Sequence, residues 1–172
     1  MKIRENLEIL IEKHPYAESL NEKLIIESEG AGGDSNGYYT NIVGNKLATS
    51  IDSDAPSKKI RDWVLSLIMN RYQTSSHTGN VNYIVDMWFA QYNKGDYTKM
   101  HYHIPFALFS FVYFVNAPRG ASPLVFPTSG RKIKPEEGKV VIFSSSLWHQ
   151  VPKNRCENRL VLAGNLMSYK TQ

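Results

Sequence analysis

A chain of 172 residues, 42% apolar and 21% charged, has the size and composition of one folded domain, residues 1–172. Its formal charge of +4 comes from lysines and arginines scattered along the sequence, which permits a nucleic-acid or phosphate-bearing partner but does not call for one. No apolar run reaches the ~20 residues of a membrane span, the N-terminus lacks the apolar core of a secretion signal, and the lone Cys156 excludes an internal disulfide framework or a cysteine-built zinc module. A reducing, cytoplasmic setting is expected.

In chain order, "IRENLEILIEKH" places Ile3, Leu7, Leu10 and Ile11 on one face and predicts a helix ending before Pro15. The Gly/Asn/Asp/Ser-rich "EGAGGDSNGYYTN" then reads as a loop, since it lacks the spacing of a phosphate cradle. "DAPSKKIRDWVLSLIMNRY" predicts a second helix. Ile60, Trp63, Val64, Leu67, Ile68 and Tyr72 form its apolar face, Pro56 suits its first turn and Asp54 is placed to cap it. Both apolar faces read as packing surfaces. "TSSHTGN" reads as a loop that exposes His77.

From Asn82 the pattern changes to short aromatic and β-branched runs separated by turns. These are "NYIVDMWFAQY", "FALFSFVYFVN", "SPLVFP", "GKVVIFSS" and "NRLVLAGNLMSY". Closely spaced strands with almost no intervening helix predict a mainly β (α+β) protein, a sandwich or jelly-roll barrel carried by residues 82–172. Residues 1–81 form a helical and loop-rich support that buttresses it.

Three of the five histidines carry the first chemical inference. If "MHYHIP" is extended, His101 and His103 project to the same side, because side chains two apart share a face. His149 ends the apolar run "GKVVIFSSSLWH". Imidazole suits iron, manganese and related ions, and three protein ligands occupy one face of an octahedron. Spacing alone leaves both a metal site and hydrogen-bonded strand histidines open.

The order of "HYH", "LWHQVP" with His149 and "ENRLVLAGN" with Arg159, together with "KPEEGKVVIFSSSLWHQV", resembles the iron(II)- and 2-oxoglutarate-dependent oxygenases. The resemblance is nearest to their prolyl-hydroxylase-like branch and to the phage and bacterial oxygenases of that type. It covers about half the chain, from Asp86 to Asn165. It implies a double-stranded β-helix of the cupin-like kind, with iron(II) on His101, His103 and His149. It also implies 2-oxoglutarate as cosubstrate, O2 as oxidant, ascorbate as a supporting reductant and hydroxylation of a substrate with release of succinate and CO2. Arg159 takes the place of the residue that holds the far carboxylate of the cosubstrate. That role fits a planar, permanently charged fork inside an apolar strand. By the same comparison Tyr92 lines the cosubstrate pocket, Tyr97 lies near its rim, and Ser110 faces it from a strand shared with Val112 and Phe114. Trp88, Trp148 and Phe143 read as core.

The departures from the family pattern are specific. His103 stands where a carboxylate is usual, so the metal face holds three neutral imidazoles and is more positive by one unit. A histidine also fills the vacancy that halogenating relatives leave for chloride. Val161 and Phe114 lack hydroxyls that often help to hold the carboxylate. Two other readings stay open: a three-histidine cupin-type dioxygenase that uses no 2-oxoglutarate, and a non-catalytic jelly-roll module for a small acid, sugar or capsid partner. The substrate itself, whether small molecule, protein side chain or nucleobase, is not written in these residues.

Overall fold

The computed structural model describes residues 8–31, 33–36, 40, 43–46, 54–72 and 81–170. Eleven strands and two helices follow one another along them. The first elements are β1 (Ile9–Lys13), α1 (Ala17–Gly30), β2 (Gly33–Asn36), β3 (Val43–Lys46) and α2 (Pro56–Tyr72). Then come β4 (Val81–Tyr92), β5 (Thr98–His101), β6 (Phe109–Asn116), β7 (Leu124–Phe126) and β8 (Arg131–Ile133). The chain closes with β9 (Lys139–Ser144), β10 (His149–Val151) and β11 (Arg159–Lys170). A seven-stranded sheet runs β1-β9-β6-β11-β4-β3-β2, and a four-stranded sheet runs β5-β10-β7-β8. The strand ladders are antiparallel. This is the double-stranded β-helix expected from the sequence, as two facing sheets rather than a closed barrel.

Side-chain alternation sorts the large sheet into two faces. Met87, Phe89, Phe111, Tyr113, Val115, Val140, Ile142, Leu160, Leu162 and Leu166 turn outward and pack on Leu20 and Leu24 of α1 and Ile60, Val64 and Ile68 of α2. Their neighbours Ala90, Tyr92, Phe114, Val141, Phe143 and Val161 turn inward against Leu124, Phe126, Ile133 and Val151 of the small sheet. The protein is therefore layered as helices, large sheet and small sheet, with the second interior between the sheets. Everything of chemical interest lies in that interior or at its mouth.

Polar contacts lock the helical layer. Buried Asn21 on α1 donates to the Val115 carbonyl at 2.8 Å and accepts from the Tyr113 hydroxyl at 2.7 Å, fixing α1 to β6. Glu27 of α1 accepts from the Ser57 amide at 2.9 Å and from its hydroxyl, which satisfies an orphan donor at the start of α2. Gly164 sits where β11 passes under Phe111. A Cβ there would lie 2.5 Å from the Phe111 ring and 2.9 Å from the Asp86 carbonyl oxygen, so only glycine fits.

Three expectations change. The predicted first helix is not formed over Ile9–Lys13, which instead pairs with β9 from Ile9↔Phe143 to Lys13↔Lys139. The exposed edge of β9 offers backbone hydrogen bonds that outweigh a short amphipathic pattern, and the helix starts after Pro15 instead. Ile3 and Leu7 lie outside the described residues, as does His77. The glycine-rich segment read as loop contains β2, paired with β3 in an irregular register. Trp148, expected in the core, is 40% exposed.

Candidate active site

The small sheet brings the histidines together. β5 and β10 pair with His149 directly opposite His101. His103 lies beyond the end of β5, where its amide donates to the Ser145 carbonyl at 2.9 Å. The extended path continues to that point, so the two-residue spacing still sends both rings to one side. Ring centroids are 4.2 Å apart for His101 and His149, 4.9 Å for His101 and His103, and 5.1 Å for His103 and His149. One donor atom from each lies within 4.8 Å of the others.

Backbone carbonyls set the tautomers. Nδ1 of His101 faces the Lys99 carbonyl at 2.8 Å, and Nδ1 of His149 faces the Leu147 carbonyl at 2.9 Å. A carbonyl can only accept, so each Nδ1 carries the proton and each Nε2 keeps its lone pair for a ligand. Burial holds all three imidazoles below their ordinary value of 6.5, His103 to about 4 and His149 to about 3, with the charge of His101 adding to both. The cluster is thus neutral near pH 7, the protonation state a metal requires. The ring of Phe143, 4.8 Å away, backs His149 from the core.

The large sheet supplies the arginine. Arg159 opens β11 opposite Tyr92 on β4 and is wholly buried. None of its three guanidinium nitrogens has a hydrogen-bond partner among the described residues. Its Cζ lies 4.4 Å from the Tyr92 ring centroid and 5.7 Å from that of Phe114, so aromatic faces are its main company. Desolvation lowers its proton affinity, which Tyr92 partly restores. Cation–π contacts of this kind are worth roughly 0.5–2 kcal/mol, well short of the several kcal/mol that a buried charge costs. Arg159 lines the cavity between the sheets, and the planar fork of its guanidinium matches a carboxylate.

Histidines and arginine line one cavity of about 320 Å³ between the sheets. Thr98, bonded to the Tyr92 hydroxyl at 2.7 Å, and Thr40 stand in its wall. Ser110 also lines it, at the other end of β11. It pairs with Asn165 in register, six residues along from Arg159 and so about 20 Å away. Its hydroxyl meets Ser145 and Asn165 at 2.8 Å each. Val112 faces the cavity as expected and Phe114 lies inside the same core. Tyr97 is not among the lining residues; its carbonyl accepts from Thr40 at 2.7 Å.

Sequence reasoning passed over Asp86, Thr98 and Asn165, all in the lining. Asp86 had a legible signal: it alternates with Trp88, Ala90 and Tyr92 on the inward face of an otherwise apolar strand. Thr98 and Asn165 gave none, because their neighbours come from distant strands.

Comparisons with known proteins agree with this geometry. Residues 87–167 match the model of the 2OG-Fe(II) oxygenase superfamily. No curated protein matches in sequence. Among solved structures, a Pseudomonas putida prolyl-4-hydroxylase aligns with a TM-score of 0.72 at 17% identity, over 97% of this chain and 95% of that one. The 2-oxoglutarate complex of a viral collagen prolyl hydroxylase from Paramecium bursaria Chlorella virus-1 aligns at 0.70 and 17%, over 92% and 94%. A Trichoplax adhaerens prolyl hydroxylase, solved with a hypoxia-inducible-factor peptide fragment, aligns at 0.69 and 14%, over 92% and 83%. Residues 87–167 thus match the 2OG-Fe(II) oxygenase superfamily model, in a chain with the fold of prolyl hydroxylases. The matched superfamily is that of 2-oxoglutarate-dependent oxygenases, whose cofactors are iron(II), 2-oxoglutarate and O2.

Proposed function

We propose that this protein hydroxylates a C–H bond of its substrate, with iron(II) on His101, His103 and His149 and the far carboxylate of 2-oxoglutarate on Arg159. One observation carries the reading: a fully buried guanidinium with no hydrogen-bond partner among the described residues shares a cavity with three neutral histidines. A three-histidine dioxygenase that uses no 2-oxoglutarate would need an anionic group on its own substrate to meet that arginine.

The metal and cosubstrate supply the oxidation: O2 and 2-oxoglutarate become succinate, CO2 and the oxygen inserted into the substrate. The chain's own residues do the rest. Nε2 of His101 and His149 and one ring nitrogen of His103 would each donate a lone pair, and the carbonyls of Lys99 and Leu147 hold the Nδ1 protons that fix two of the rings. Arg159 orients the cosubstrate along the cavity, while Val161 and Phe114 pack about the guanidinium without adding a hydroxyl. Thr98 and Tyr92, already bonded to each other, stand where a hydroxyl can join the arginine. The apolar walls keep bulk water from the charged pair, which strengthens it.

The test is conversion of labelled 2-oxoglutarate to succinate and CO2 by protein given iron(II), ascorbate and air. The wild type should turn it over slowly without a prime substrate. Arg159→Leu should lower the rate at sub-saturating 2-oxoglutarate by about 100-fold or more, from loss of a bidentate charged contact. An inert wild type, or an Arg159→Leu protein with unchanged 2-oxoglutarate dependence, would contradict the proposal.

A further inference from the structure

A second opening meets the cavity at the histidines. It is a groove of about 760 Å³ whose lining shares Asp86, His101, His103 and Asn165 with the inner cavity. Its other walls are apolar or aromatic: Met100, Tyr102, Ile104, Phe106, Trp148 and Met167. Several are exposed far beyond what folding needs, Phe106 by 79% and Trp148 by 40%. Tyr102 and Trp148 meet edge to face, with centroids 4.4 Å apart, so the wall is a built aromatic corner rather than scattered apolar residues.

Against that apolar wall stands one carboxylate. Among the described residues, Asp86 is the only acidic side chain in the lining of either opening. It is half-buried, and no described residue hydrogen-bonds or ion-pairs with its carboxylate. It sits in register with Asn165 at the point where groove and cavity join. Gly164 lets the strands pass so closely there that the Asp86 carbonyl lies 2.9 Å from where a Cβ would be. An unpaired carboxylate kept in an apolar recess is costly unless a cation or strong donor meets it.

Resting on the oxygenase reading of the site, we infer that the groove recognises a substrate with a cationic nitrogen, an amine or guanidinium, on an aliphatic stem. Asp86 pairs with the charge. The stem lies along Met100, Ile104 and Phe106, as lysine and arginine stems cover apolar surface elsewhere. The Tyr102–Trp148 corner offers aromatic faces to the cation. Held at Asp86, the group places the C–H bonds nearest its nitrogen at the histidine end of the groove. A free basic amino acid and a basic side chain of a peptide present the same chemistry.

The inference is tested with protein loaded with Mn(II) and 2-oxoglutarate in the absence of O2. Probes are Nα-acetyl-lysine methylamide, its norleucine analogue, and a short neutral peptide carrying either residue. Calorimetry should show the lysine probe binding about tenfold more tightly than norleucine, and that preference should vanish in Asp86→Asn. Preference for lysine in the free probe points to a small-molecule substrate, and preference only in the peptide points to a polypeptide; both support the inference. Equal binding of lysine and norleucine, or no binding of either, overturns it while the oxygenase reading stands. Failure of Mn(II) and 2-oxoglutarate to bind overturns the reading beneath it. The wild-type comparison decides the matter even where Asp86→Asn fails to fold.

Discussion

A buried guanidinium with no hydrogen-bond partner raises the free energy of the ligand-free fold, and among the described residues Arg159 has none. Replacing it by leucine removes the desolvation cost, so ligand-free Arg159→Leu should be no less stable than wild type and up to about 1–4 kcal/mol more stable in urea. A marked loss of stability would mean that the arginine has a structural partner. His103 is tested in the opposite sense, by adding charge. His103→Asp restores an anion to a donor set of neutral imidazoles and should tighten Mn(II) binding by about tenfold or more. Unchanged affinity would remove His103 from the ligand set. Both residues were legible in the sequence through their order with His149, and the pairing of His101 with His103 followed from two-residue alternation. What the sequence could not convey was the emptiness around the guanidinium, which depends on Tyr92 and Phe114 arriving from other strands.

At the scale of elements, the strands that carry the site depend on the helices behind them. Asn21 ties α1 to the backbone of β6 and to the Tyr113 hydroxyl, whose proton affinity burial already raises. Asn21→Ala leaves that hydroxyl and the Val115 carbonyl buried without a partner. A loss of roughly 1–3 kcal/mol in urea unfolding is expected, and a loss below about 0.5 kcal/mol would show that α1 is docked by Leu20 and Leu24 alone. Legibility varied with the strength of each pattern. α2, with Ile60, Val64 and Ile68 at regular helical spacing, was readable almost to its ends. α1 was not, because polar Asn21 and Ser28 occupy buried positions and blur its apolar face. β1 was misread because Leu10 and Ile11 fit a helical spacing as well as a strand, and only the free edge of β9 decides between them. The long inner strands β4, β6, β9 and β11 declared themselves by composition, whereas β8 and β10, of three residues each, are too short for periodicity to register.

For the whole molecule, the helices and the outer face of the large sheet form a support, and the interior between the sheets holds the three histidines and Arg159. This division gives the metal-free protein a characteristic pH dependence. The histidines have lowered values in the folded state, so they stay neutral there while the unfolded chain takes up protons near 6.5. Between those values the unfolded state binds more protons, so stability falls as pH drops below about 6.5 and is unaffected by these groups above it. Urea midpoints taken from about pH 7 to about pH 5, before most carboxylates titrate, should decline, and less steeply in His149→Asn. A flat profile would mean that the cluster is solvated. Mn(II) at about 100 times its dissociation constant should add about 2.7 kcal/mol at neutral pH and progressively less on acidification.

The central claim is that three histidines hold the metal beside an arginine that holds 2-oxoglutarate. The most direct measurement is pulsed electron paramagnetic resonance of Mn(II) in the protein, counting imidazole nitrogens through their nuclear couplings before and after 2-oxoglutarate is added. The account predicts three coordinated imidazoles, a spectrum altered by 2-oxoglutarate in the wild type, and no alteration at the same concentration in Arg159→Leu. Two or fewer imidazoles, or a response to 2-oxoglutarate that survives loss of Arg159, would contradict it.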